Sequence, residues 1–555
     1  MTRVKAERMT VSNSEKKKHD CIIIGGGHNG LIAAAYLAKR GKSVCVLERR
    51  PMLGGCSVTE ELWPGYKVST ASYVVSLLLP EIISDLKLKQ NGLKILPRVP
   101  SSFTPMRDGR HLMLGADKQE NYSQIAGFSK KDADSFARYE QVLEQVAMHL
   151  EPVLNQAAPD LLPLPSSWRR IGLGKKLRDL RKGWALRKAL ASMEETIPEG
   201  RELLTAAARP VLERWFETEV LKTTLATDAV IGAFASISQP GTAYVLLHHV
   251  MGTAGGARGV WGYVEGGMGA LSESIASVCH QLGVTIKTEC EVEQILVEKN
   301  KTKGVLLRDG SELEASVVAS SVDANLTFNH FLEEDMLPSP FRAAVNRIDY
   351  SSATAKINLA LSELPNFRCL PSTGIAPQHN GTIHIGETLE EVERAYDDAK
   401  YGEPSKNPIV EITIPTSVDR TIAPEGKHIM SMFVQYAPYQ LKEGLVWDDI
   451  KEQFADRCVE RVAEYAPNIT EAIEHRQVLS PVDLERTYGL TGGNIFQGAM
   501  NLNQLHMMRP VPGWADHRTP IRGLYLCGAA SHPGGGVMGA CGMNAAHEIL
   551  RDRII

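Results

Sequence analysis

Near the start of the chain the apolar positions fall in one short run, Cys21-Ile22-Ile23-Ile24, then break at Gly25-Gly26-Gly27-His28-Asn29-Gly30. A longer stretch, Leu31 to Arg40, follows, and then Ser43 to Glu48. A run so short and β-branched predicts a buried parallel strand, and the longer stretch predicts a helix. That helix should end at Gly41, where a left-handed cap suits glycine. The same order returns at the other end of the chain. Gly523 to Gly528 predicts a strand, Ala529 to Gly536 a glycine-rich loop, and Val537 onward a helix. A third stretch runs from Gly266 to Ser321. It predicts a helix to about Leu282, strands at Val284 to Ile286 and Glu291 to Val297, a hairpin at Asp309-Gly310, and a last strand ending at Val317-Val318-Ala319-Ser320. The blocks at about 96–255 and 331–500 carry long helical patterns and mixed strands without any phosphate-loop signature.

The spacing Gly25-x-Gly27-x-x-Gly30 gains its meaning from this strand-turn-helix context. Gly25 permits a tight turn, Gly27 lets the backbone approach a pyrophosphate, and Gly30 lets the helix pack closely on the strand. Glu48 stands at the end of the second strand, where an acid accepts hydrogen bonds from an adenosine ribose. A carboxylate there repels a 2′-phosphate, which favours FAD or NAD over NADP. Asn29 and His28 either contact the cofactor or cap the helix. Two further features tilt the reading to FAD. Arg49 opens a loop whose Gly54-Gly55 pair suits contact with pyrophosphate and flavin. At the other end of the chain, the loop of Gly528 and Ala529, with the helix start near Gly536, Val537 and Met538, suits the flavin ring. His532 lies beside that loop as the one catalytic candidate, to shuttle a proton or bond the flavin, or else only to stiffen the loop. Gly267-Met268-Gly269 lacks a third glycine and reads as a helix start rather than a second nucleotide loop. His248 and His249 read as core or capping residues.

The predicted architecture is therefore α/β: an FAD/NAD(P)-binding Rossmann-like domain, split along the chain over residues 19–95, 256–330 and 501–555. An α+β substrate domain is inserted from residues 96–255 and 331–500. Residues 1–18 form a basic tail, compatible with a mitochondrial presequence and equally with a solvated tail. Composition adds exclusions. With 43% hydrophobic and 23% charged residues and a formal net charge of −4, the 555-residue chain is globular and no nucleic-acid binder. Its nine cysteines form no CxxC pair and no zinc-like spacing, which argues against a thiol-disulfide relay and against a metal site. No apolar run reaches bilayer-spanning length. Leu173, Leu177, Leu180 and Trp184 recur at helical spacing among Lys175, Lys176, Arg178, Arg181 and Lys182, a pattern that fits either a membrane-surface helix or a solvated basic face.

Several stretches carry a family resemblance: Ile24 to Gly30, Val245 to Gly252, Trp261 to Val264, Gly266 to Leu271, Gly492 to Phe496 and His532 to Gly539. Together they resemble the carotenoid/retinoid oxidoreductase family of phytoene desaturase-like FAD flavoproteins, over nearly the whole chain. The resemblance implies bound FAD, with the adenine end also held by backbone near Val292 and the C-terminal glycine loop against the flavin. It further implies a mitochondrial location, peripheral to the inner membrane or its proteins. The activity it implies is hydride transfer or flavin-assisted isomerisation on a hydrophobic, polyprenoid- or lipid-like substrate. A flavin-binding regulatory protein with little turnover is the alternative, and a plain NAD dehydrogenase would carry no flavin at all.

Overall fold

The strand Lys18–Ile24 lies at the middle of a sheet to which both ends of the chain contribute. Five strands run parallel in the order Thr285–Lys287, Val44–Leu47, Lys18–Ile24, Glu312–Ser320 and Leu524–Leu526. Cys21 is in register with Val44 on one side and Val317 on the other. Two antiparallel strands, Val292–Glu298 and Lys301–Leu307, extend the sheet from the beginning of Glu312–Ser320, whose end is left free to pair with the C-terminal strand. This computed structural model describes residues 18–162, 172–254, 257, 258 and 260–555. The tail of residues 1–17 lies outside the described residues.

The apolar run of the first strand is continuous because both of its faces are covered. Cys21 and Ile23 pack into a layer with the helices His28–Ala38, Met268–Gln281 and Ala540–Asp552. Ile22 and Ile24 join the opposite layer with Phe328, Phe341 and Trp514. Successive side chains thus serve two cores, and each fully buried aliphatic residue contributes about 1.5–3 kcal/mol. The final helix begins at Ala540 rather than at Val537. Gly536 at φ +110° and Gly539 at φ +78° keep Val537 and Met538 in a loop. The backbone there is committed elsewhere, since the Met538 carbonyl accepts from the Leu79 N–H at 3.1 Å.

A second seven-stranded sheet is built from the inserted blocks, in the order Ile473–Leu479, Thr354–Leu361, His428–Gln435, Ile409–Thr413, Thr382–Ile385, Ser102–Pro105 and His111–Leu114. The helix Trp447–Ala463 covers one face through Phe454, Cys458 and Val462. Helices between Lys130 and Val250 form a separate layer with its own core. The functional cavity lies where the two sheets and this layer meet.

Candidate functional site

The turn between Ile24 and His28 is held by Glu48. Its carboxylate accepts from the Gly26 N–H at 2.8 Å and from the Arg50 N–H at 2.9 Å, so the acid is fixed before any ligand arrives. Gly54 donates to the Gly26 carbonyl at 2.9 Å, which lays the Gly54-Gly55 loop against Gly27. A side chain on Gly30 would place its Cβ 2.2 Å from the Gly25 carbonyl oxygen, and one on Gly54 2.2 Å from that of Ser57. At Gly27 the space is open, with nothing nearer than 3.9 Å. The helix His28–Ala38 has no side-chain cap, and its first return bond is Leu31 N–H to the Gly27 carbonyl, which leaves the N–H groups of the first turn facing that opening. A glycine cradle and uncapped helix N–H groups are the donors that a dinucleotide pyrophosphate requires, and a fixed carboxylate is the acceptor its ribose hydroxyls require.

Gly25, Gly27, Asn29 and Glu48 line one cavity of about 450 Å³, as do Arg49, Gly54, Gly55 and Val292. From the C-terminal loop Ala529, Gly536 and Val537 reach the same cavity, as does Ser321. Gly30, Gly528 and Met538 stand behind the lining; a Cβ on Gly528 would meet the Ser321 carbonyl oxygen at 2.2 Å. Arg49 is turned away at its tip, where the guanidinium donates to the carbonyls of Arg486 and Thr487. Asn29 ties the two ends of the chain together, its side-chain oxygen accepting from Gly542 N–H at 3.3 Å.

Of the roles open to it, His532 is placed for stiffening of the loop rather than for contact with the flavin side of the cavity. It is fully buried outside the cavity lining, with its ring edge-on to His506 at 4.9 Å, and burial holds it well below the usual imidazole range. The loop presents Ala529 and Gly536 to the cavity and points His532 away from it. Two residues support this loop from below. His248 donates from Nε2 to the Gly535 carbonyl at 3.1 Å, a more specific role than core packing. Arg509 is buried and gives its guanidinium to the carbonyls of Phe496, Gly498, Ala499, Gln504 and Ala529. The Gly267-Met268-Gly269 start is closed to a second nucleotide, since Ser69 and Thr59 hydroxyls already accept from the N–H groups of Met268 and Gly269.

Beyond the glycine loops the cavity continues to the second sheet, where sequence reasoning found nothing. Lys356 is buried and finds no hydrogen-bond partner among the described residues; its Nζ stands 4.1 Å from the Tyr73 ring centre. The Tyr73 hydroxyl donates to Glu411 at 3.5 Å, and the other Glu411 oxygen lies 3.7 Å from His384 Nδ1. Burial lowers the Lys356 amine to about 7. Burial, reinforced by the charge of Asp228, pushes Glu411 up to about 8, and burial lifts Asp228 to about 7 against the pull of Arg98. The signal available in the sequence was a single charge inside an apolar strand: Lys356 within Thr354–Leu361, Glu411 within Ile409–Thr413. Cys56 and Cys290 also line the cavity, but all nine cysteines are free, and burial pushes the Cys56 thiol up to about 12.

A family model described as flavin containing amine oxidoreductase matches residues 30–550. The chain is 46% identical to the rat (Rattus norvegicus) protein named pyridine nucleotide-disulfide oxidoreductase domain-containing protein 2, over 97% of this chain and 94% of the relative. It is 26% identical to a limonene dehydrogenase component of Castellaniella defragrans, over 97% and 96%. Phytoene desaturase of Fusarium fujikuroi is more distant, at 22% over 96% and 90%, so the matched family is broader than the carotenoid group. Among solved structures, cyclohexylamine oxidase from Brevibacterium oxydans shares the fold, with a TM-score of 0.56 and 15% identity over 96% of this chain and 99% of that one.

Proposed function

The chain belongs to the flavin containing amine oxidoreductase family and is an FAD-dependent oxidoreductase, and from that premise we propose that it acts on a lipophilic substrate bearing one polar group. One observation carries the reading: a single cavity runs from the glycine cradle to a chamber that is apolar on some walls and carries Lys356, Tyr73 and Glu411 on another. Leu77, Leu225, Ile231, Trp261, Phe433 and Ile495 supply apolar surface to hold a hydrocarbon body. Lys356 supplies the exception, because a pure hydrocarbon would leave its buried amine without a hydrogen-bond partner. A relative named for limonene dehydrogenation supports a hydrocarbon-rich substrate.

In this reading Glu48, Gly27, Gly54 and the first turn of the His28–Ala38 helix hold FAD, while His248 and Arg509 keep the C-terminal loop in place beside it. When bound, FAD supplies a hydride acceptor or donor. The protein's own part is to desolvate the reacting bond, orient it, and exchange a proton through Lys356 or Glu411.

The purified protein is expected to show oxidised-flavin bands, with FAD released on denaturation. Under anaerobic conditions lipophilic alcohols or amines should bleach it faster than hydrocarbons of equal length. Equal or faster bleaching by the bare hydrocarbons would overturn the polar-group assignment. A bound flavin that no compound bleaches would favour a flavin-binding interaction protein instead.

We also propose that the protein resides in mitochondria, a reading supported by Arg3, Lys5, Arg8 and Lys16 to Lys18 near the start of the chain. Residues 1–20 fused to a reporter should then direct its import, and a cytosolic reporter would count against it. Among the described residues no helix is long and apolar enough to cross a membrane.

A further inference from the structure

Over Leu173 to Trp184 the helix Leu173–Ala191 is inside out, whereas Leu190 near its end packs on the core. Its one acid, Asp179, is its one buried residue. Lys175, which the sequence pattern assigned to a basic outer face, turns inward and meets Asp160 at 2.7 Å, Asp179 at 2.8 Å and Asp516 at 3.2 Å. Lys182 also turns inward, donating to the Ala157 carbonyl at 2.7 Å. These ion pairs fix the rotation of the helix about its axis. The consequence is that Leu173, Leu177, Leu180 and Trp184 point outward, 74%, 53%, 63% and 66% exposed. Four large apolar side chains in one stripe are more than the scattered exposure normal for a surface.

What flanks the stripe says what covers it. Lys176, Arg181, Arg187 and Lys188 are exposed beside it, and Lys188 Nζ stands 5.8 Å from the Trp184 ring centre. A second copy docking by the same face would bring these cations against their own equivalents, a repulsive arrangement. A sheet of anionic headgroups over an apolar layer is complementary to both parts of the surface. Leu161, 39% exposed, packs against Gly183 of the helix and enlarges the apolar area.

We propose that the outward face of this helix is a docking surface for an anionic lipid bilayer, its apolar stripe entering the acyl boundary and its cationic flanks meeting the headgroups. Association is peripheral and independent of the chemistry in the cavity. The test is flotation of the flavin-loaded protein with phosphatidylcholine vesicles, alone or mixed with phosphatidylglycerol, at moderate salt. Binding to the mixed vesicles is expected, with little to phosphatidylcholine alone. Leu177→Asp with Leu180→Asp should weaken binding about a hundredfold, since each removes one inserted side chain. Arg181→Glu with Lys188→Glu should abolish the preference for the anionic lipid. All four side chains are exposed, so the flavin spectrum and melting temperature of each variant should match the parent and report intact folding. Failure of the parent to float with anionic vesicles, or equal flotation of the Leu177→Asp, Leu180→Asp variant, would overturn the proposal. So would a dimer in sedimentation without vesicles that the same variant dissociates.

Discussion

Gly27→Ala is expected to leave the apoprotein folded and to cost it FAD, whereas Gly30→Ala is expected to damage the fold itself. The two glycines sit three residues apart in one turn, yet they answer to different partners. An added Cβ at Gly30 would lie 2.2 Å from the Gly25 carbonyl oxygen and 3.2 Å from Ile23 and Ser321, backbone and core that cannot move aside singly. Overpacking of that kind costs about 1–3 kcal/mol or more and separates the first helix from the sheet. At Gly27 the added methyl meets no protein atom within 3.9 Å, and the residue's backbone is of an ordinary extended kind, φ −68° and ψ 165°. The methyl instead enters the opening onto which the first helical turn faces. Loss of one phosphate approach of this sort should lower FAD affinity about tenfold to a hundredfold. The measurement is the flavin-to-protein absorbance ratio alongside thermal melting of the apoproteins. Parent-like melting with lost flavin for Gly27→Ala, and lowered melting for Gly30→Ala, is the expected pair. A Gly27→Ala protein that keeps full flavin would place the pyrophosphate elsewhere.

The contrast also shows which parts of the molecule were legible beforehand. The nucleotide end was readable because its logic is local: strand, turn, helix and acid lie within about thirty residues of one another, as a dinucleotide fingerprint requires. The C-terminal loop was readable as a contributor, though its helix starts three residues later than expected, because Gly536 and Gly539 hold positive-φ turns that apolar periodicity does not report. The two roles open to His532 could not be separated in the sequence, since adjacency says nothing of side-chain direction; its neighbours Ala529 and Gly536 face the cavity while it packs against His506, as the loop-stiffening role requires. The substrate chamber was illegible for a different reason. Tyr73 and Glu411 are 338 positions apart, and Lys356 comes from a third segment. Lys356 and Glu411 are each a lone charge in an apolar strand, Tyr73 lies in an irregular segment, and only folding brings the three to one wall.

That wall carries the other large expected effect. Lys356→Met is expected to slow flavin reduction about a hundredfold to a thousandfold, the range of general acid–base catalysis, with flavin content unchanged. The amine is buried, lowered to about 7, and without a partner among the described residues. Neutral above that pH, it can take a proton from the substrate's polar group; protonated below it, it cannot. The rate of substrate oxidation should therefore rise with pH through about 7 in the parent, and that limb should vanish in Lys356→Met. Glu411→Gln should remove any change near 8, where its carboxyl ionises. Stability gives a second readout that a merely steric role would not move. Glu411 is raised from 4.5 to about 8, so its contribution is fully present below 4.5 and is lost as pH rises through about 8. Lys356 is depressed from 10.5 to about 7, so its contribution is present above 10.5 and is lost as pH falls through about 7. Taken alone, the two contributions oppose each other and share a minimum near neutrality, about a few kcal/mol deep, which is read as the difference between each variant and the parent, because buried histidines such as His248, His249 and His384 add their own loss of stability in acid. Glu411→Gln should flatten the acid side of that minimum and Lys356→Met the alkaline side. Melting curves that keep both sides in both variants, together with an unchanged pH–rate profile, would show that neither residue titrates in the chamber.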